Sequence, residues 1–102
     1  MADARLIDKG DGYWLLEGEL GFSSVPAVLE HAGVEMLGNA ALKVDLKGVS
    51  RADSAGLALL VEWLRESERN GNEISFINVP VQLVSIARVC GLHEILSFPQ
   101  QV

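Results

Sequence analysis

The stretch Leu42-Lys-Val-Asp-Leu-Lys-Gly-Val-Ser-Arg-Ala-Asp-Ser-Ala-Gly-Leu-Ala-Leu-Leu60 decides the fold. Leu42, Val44 and Leu46 alternate with Lys43, Asp45 and Lys47, the period of two that belongs to a half-buried strand with its polar positions toward water. Gly48-Val-Ser-Arg-Ala-Asp53 reads as a loop. The period then changes: Leu57, Leu60, Val61 and Leu64 form a helical core stripe, and Glu62, Arg65, Glu66 and Arg69 take the wet side. Trp63 falls between Leu60 and Leu64, and the pattern leaves open whether it is a half-buried flank or an interface anchor.

Outward from that unit, Asn70-Gly71-Asn72 stops the helix, and Glu73 to Val79 reads as a strand with Ile74 and Phe76 on one face. Pro80 starts a third helix through Cys90 with Leu83, Val84 and Ala87 inward; Gly91-Leu92 breaks it, and His93 to Leu96 adds a last turn. On the N-terminal side, Arg5–Asp8 and Tyr13–Leu20 flank Lys9-Gly-Asp-Gly12, a turn composition that closes a hairpin. Ser23-Ser24-Val25-Pro26 opens a helix with a serine cap and a first-turn proline. Val25, Val28, Leu29, Ala32, Met36 and Leu37 make its core face, and Gly38-Asn39 ends it.

The order β-β-α-β-α-β-α is that of an α/β domain: a small mixed sheet of about four strands with helices mainly against one side, because crossover helices join parallel neighbours. The 102 residues, 49% hydrophobic and 22% charged, fit one domain over 1–102 with a collapsed core. A net charge of −6 repels a phosphate backbone and argues against nucleic acid. Cys90 is the only cysteine, which excludes an intramolecular disulfide and a cysteine-based metal cage. No apolar run is long enough to span a bilayer and no signal-peptide pattern opens the chain, so a cytoplasmic location is expected.

Chemistry concentrates at Asp53-Ser54-Ala55-Gly56-Leu57. Asp53 suits the N-cap, and Ser54 falls in the first turn beside unpaired N–H donors and the positive end of the helix dipole. Ala55 and Gly56 leave the backbone bare for another molecule, and glycine so early costs about 1 kcal/mol relative to alanine, so packing or contact retains it. Phe22, in the loop entering the first helix, belongs at the same end of the sheet. That placement allows a patch of Phe22, Val28, Ser54, Ala55 and Ala58; the alternative, which the sequence favours slightly, is that Phe22 caps the core. Ser54 is then a phosphorylation site, the centre of an unmodified protein-binding patch, or the solvated serine of an ordinary helix start.

A catalytic serine needs a general base, and neither histidine is placed to serve it: His31 lies mid-helix on the exposed side and His93 in the terminal turn. There is no Gly-x-Ser-x-Gly elbow, P-loop, dinucleotide fingerprint or clustered set of metal ligands. The expectation is a non-enzyme without cofactor or metal. Direct lipid carriage is disfavoured, since a diacyl chain needs a sizeable cavity and this chain would have to empty its core.

The run Val44 to Leu60 resembles the signature of the STAS domain family: an Asp-Leu strand end (Asp45-Leu46), a short loop, then Asp-Ser/Thr-x-Gly (Asp53-Ser54-Ala55-Gly56) heading a helix. The resemblance extends from Trp14–Leu20 through Gly71-Asn72-Glu73 to Gly91-Leu92. Within the family the chain is most similar to the branch serving as the cytoplasmic subunit of ABC-type phospholipid transporters. That resemblance implies an ABC ATPase subunit as partner, in complex with permease and substrate-binding subunits. The implied task is support of a transporter that maintains outer-membrane lipid asymmetry, at the inner membrane through its partner and without insertion. The alternative branch is an anti-sigma factor antagonist, in which the motif serine is phosphorylated by an anti-sigma factor kinase. Ala55 departs from the second hydroxyl common there, and Ser54 stands where the transporter branch more often has threonine. Carried over by residue, Ser54 is the contact or switch hydroxyl, Asp53 its capping neighbour and Ala55-Gly56 the close-approach backbone.

Overall fold

The computed structural model describes residues 3–38, 40–92 and 94. Strands β1 (Ala4–Gly10) and β2 (Tyr13–Leu20) are followed by α1 (Val25–Leu37), β3 (Ala41–Ala52), α2 (Ser54–Arg69), β4 (Glu73–Ile77) and α3 (Val81–Val89). The sheet runs β1-β2-β3-β4, the first pair antiparallel and the next two parallel. This is the mixed four-stranded arrangement that helix-linked strands dictate. Gly38 lies just past α1 as expected, whereas Asn39 and, apart from Glu94, the last turn at His93 to Leu96 lie outside the described residues.

One face of the sheet is apolar. Leu6, Trp14, Leu16, Leu20, Val44 and Phe76 are buried there beneath the helices, in register through the pairs Leu6↔Leu16, Trp14↔Val44 and Val44↔Phe76. Val25, Val28, Ala32 and Met36 enter this core from α1, and Leu57, Leu59, Leu60 and Trp63 from α2. Trp63 is fully buried and therefore a core residue, with an indole N–H that finds no partner among the described residues. Leu29, expected inward, is 36% exposed. It follows that α1 presents a narrower apolar face than its spacing implied, and the helix is broken by non-helical backbone at Gly33.

Two readings of β3 change. The segment expected as a loop is strand as far as Ala52, because the second half of β2 needs a partner: Glu17 pairs with Gly48, Gly18 with Val49, Glu19 with Arg51 and Leu20 with Ala52. Gly48 is a close-approach position rather than loop punctuation, since a β-carbon there would lie 2.6 Å from the Glu17 Cβ. Asp45, expected on the wet side, is only 1% exposed. It does point away from the helices, but the Tyr13 hydroxyl, the Asn78 side-chain amide and the Lys47 backbone N–H all donate to its carboxylate and cover it.

Ser24 holds the cap position of α1, its carbonyl accepting the Val28 N–H at 3.2 Å. Its hydroxyl, however, turns backward, accepting from the Gly21 N–H and donating to the Glu19 carbonyl, so it braces the loop instead of capping the helix. At the other end of α2, Asn72 N–H bonds to the Ser67 carbonyl and Gly71 N–H to Glu68, the paired reverse bonds of a Schellman stop. Among the described residues no helix is long and apolar enough to cross a membrane.

Candidate functional site at the head of α2

Because β2, β3 and β4 are parallel, the starts of α1, α2 and α3 gather at one edge of the sheet. Asp53 anchors this edge. Its N–H donates to the Leu20 carbonyl at 3.1 Å, tying the head of α2 to the end of β2. Its Oδ1 accepts the Ala55 N–H at 2.8 Å, a true N-cap. The third helix is tied in as well, since Gln82 Oε1 accepts the Ala52 N–H at 3.2 Å. Between these loops lies a depression of about 340 Å³ whose lining includes Glu19, Gly21, Ser23, Arg51, Asp53 and Gln82.

Ser54, the first residue of α2, is exposed, and its hydroxyl bonds to none of the described residues. It stands at the positive end of a 16-residue helix, where Asp53 accepts the next three N–H groups, Ala55 on its side chain and Gly56 and Leu57 on its carbonyl. Ala58, one turn on, is also exposed. Phe22 is 79% exposed in the adjoining loop and does not cap the core. Asp53, Ser54, Ala58 and Phe22 are thus all accessible at the expected edge.

Three other residues expected in the patch face inward. Val28 is 2% exposed and belongs to the core, its position on the buried stripe of α1 taking precedence. Ala55 is 8% exposed, and Gly56 is buried. A β-carbon on Gly56 would lie 3.0 Å from the Leu20 Cβ and 3.4 Å from the Ala52 Cβ. The small residues therefore admit β2 and β3 to the helix from within rather than a partner from without. This packing is what offsets glycine's cost in the first turn.

Two further residues stand at this edge that sequence pattern does not single out. Val81, 75% exposed at the start of α3, and Gln82, which bonds Ala52, share this edge because β4 lies parallel to β3. The topology held that signal; the helical periodicity of α3 did not. His31 is exposed on α1 and does not line the depression beside Ser54.

A family model described as "Mlab, STAS domain" matches residues 15–97. The chain belongs to the STAS domain family. Among solved structures it is similar to the anti-sigma factor antagonist SpoIIAA in its unphosphorylated form, at 17% identity and a TM-score of 0.69 over 89% of this chain and 83% of that one. An anti-sigma factor antagonist from Mycobacterium paratuberculosis gives 19% identity and a TM-score of 0.67 over 97% and 84%. The anion-transporter family member SLC26A9 gives 15% identity and 0.66, with 96% of this chain aligned to 21% of that one. These likenesses establish the fold. No curated protein matches the chain. STAS domains are in general regulatory or interaction domains without catalytic activity.

Proposed function

We propose that this chain is an MlaB-like STAS subunit that binds and supports the ATPase of an ABC-type phospholipid transporter maintaining outer-membrane lipid asymmetry. The single observation that carries a docking role is the exposed Ser54, bonded to none of the described residues, on a capped helix head, with Phe22 beside it 79% exposed. The match to the family model described as Mlab favours the transporter branch. In this reading the subunit is cytoplasmic, sits at the inner membrane through its partner, and touches no lipid. Phe22, Ser54 and Ala58 meet the ATPase while Asp53 holds the tip in shape.

The test is co-purification from the native host with identification of the bound chains, followed by Ser54→Leu and Ser54→Asp. An ABC ATPase with its permease is the expected catch, and both variants lose it while keeping wild-type melting. Unchanged ATPase affinity in both would remove Ser54 from the interface.

One observation also favours a second reading, an anti-sigma factor antagonist regulated by serine phosphorylation. The Ser54 hydroxyl bonds to none of the described residues and lies where a helix dipole tolerates added negative charge, yet beside Asp53, where that charge would repel an acidic partner. Intact-mass measurement after incubation with the cognate anti-sigma factor kinase and ATP then shows one added phosphate. No addition dismisses this reading.

A further inference from the structure

Helix α1 and the second half of α2 leave a groove between them. Its volume is about 550 Å³, and its lining includes Leu29 and Gly33 from α1 and Glu62, Trp63 and Glu66 from α2. It shares no residue with the depression at the head of α2.

Several groups in its wall lack counterparts. Trp63 is 0% exposed, and its indole N–H has no acceptor among the described residues. Buried donors are nearly always satisfied, and bulk water does not reach this one, so the acceptor it lacks is one that another molecule can bring. Glu62 is half-buried in the same wall, and its carboxylate has neither a cation nor a hydrogen bond among the described residues. Glu66 follows it at the i+4 spacing, where like charges repel. Glu66 pairs with Arg69, but no cationic side chain lines the groove itself. Across from these carboxylates Leu29 is 36% exposed, and four residues on α1 is broken at Gly33, where a side chain would meet only open space.

We infer that this groove docks a basic, apolar segment of a partner polypeptide. A Lys or Arg of the segment meets Glu62 and Glu66, an apolar side chain covers Leu29, and a backbone carbonyl accepts the Trp63 N–H. The break at Gly33 is where α1 gives way, so that the carbonyl reaches a donor closed to water in the unbound chain. A small alkylamine would answer Glu62 and Leu29 but brings no acceptor for the indole. A second copy of this chain, at net −6, is repelled. Nothing in this site depends on what binds Ser54.

Three probes test it against the intact, isotope-labelled protein by proton–nitrogen NMR: a Leu/Lys peptide, the same peptide with its lysines acetylated, and butylamine. The chain has two tryptophans and therefore two indole cross-peaks, which Trp14→Phe or Trp63→Phe assigns. The Leu/Lys peptide is expected to move the Trp63 peak and leave that of Trp14. It binds at least about tenfold more tightly than the acetylated peptide or butylamine. Because a net charge of −6 by itself draws a basic peptide, the variants locate the effect. Glu62→Gln and Leu29→Ser each weaken binding about tenfold. Asp11→Asn, the same change in net charge as Glu62→Gln but on the hairpin outside the groove, leaves it unchanged. Melting curves confirm that each variant is folded. No peptide binding, an unmoved Trp63 peak, equal affinity for butylamine or the acetylated peptide, or equal losses from Glu62→Gln and Asp11→Asn overturns the proposal.

Discussion

Asn78 donates from Nδ2 to Asp45 Oδ1 at 3.0 Å, fastening the residue after β4 to the middle of β3. The Tyr13 hydroxyl and the Lys47 N–H complete the set, and the Lys47 ammonium lies 3.8 Å away. Burial by itself pushes the Asp45 carboxyl up. The bonds from Tyr13, Asn78 and the Lys47 amide, with the nearby ammonium, outweigh it and hold the group below its ordinary value. The same contact raises the Tyr13 hydroxyl, first through its hydrogen bond to Asp45.

A carboxyl depressed in the folded state adds stability above its unfolded pKa, near 3.8, and the gain is lost as pH falls through the lower folded value. Asp45→Ala is therefore expected to lose about 1–3 kcal/mol at neutral pH, since three donors lose their acceptor. The gap to wild type should narrow as pH drops below about 4. Urea unfolding of both proteins across that range measures it, and a gap constant with pH would show that the carboxylate's charge is not involved.

Gly56→Val should destabilise by about 1–3 kcal/mol, because its side chain must enter space already filled by Leu20 and Ala52. Gly56→Ala gains helix propensity and strains the Leu20 contact in comparable measure, so its effect should be small. Thermal melts of the two variants separate packing from propensity.

Asp53→Ala removes the cap of α2 and should cost about 1 kcal/mol, whereas Asp53→Asn, which can still accept the Ala55 N–H, should cost a few tenths at about 25 °C. Chemical denaturation of the pair distinguishes capping from charge.

Phe22→Ser is expected to leave stability within about 0.5 kcal/mol of wild type, since the ring is 79% in water. Affinity for the proposed ATPase partner should fall about tenfold or more. Unfolding and binding titrations on one preparation give both numbers, and a stability loss without a binding loss would return Phe22 to the core.

Much of this architecture is legible in residue order. The alternation of Leu42, Val44 and Leu46 and the helical recurrence from Leu57 mark a strand and a helix whose register the structure keeps. Asp45 could not be read in the same way. Its alternation places it away from the helices, but only the fold brings Tyr13 and Asn78 to it from distant parts of the chain. Gly48 looks like a loop residue until β2 supplies a partner strand that demands a bare backbone. At the candidate site, Asp53 and Ser54 declare a helix head by type and spacing. The purpose of Ala55 and Gly56 is hidden, because small residues admit a neighbour equally from either side. Trp63 was ambiguous for a related reason: one large ring on the margin of an apolar stripe does not reveal which way the helix is rolled.

The bond from Asp53 N–H to the Leu20 carbonyl welds the tip of α2 to the sheet just where a pivot would otherwise lie. A change at Ser54 thus has no interior lever to pull. On the proposed reading, whatever news that serine carries is read by touch, by the visitor pressed against it, while the body of the domain stays still.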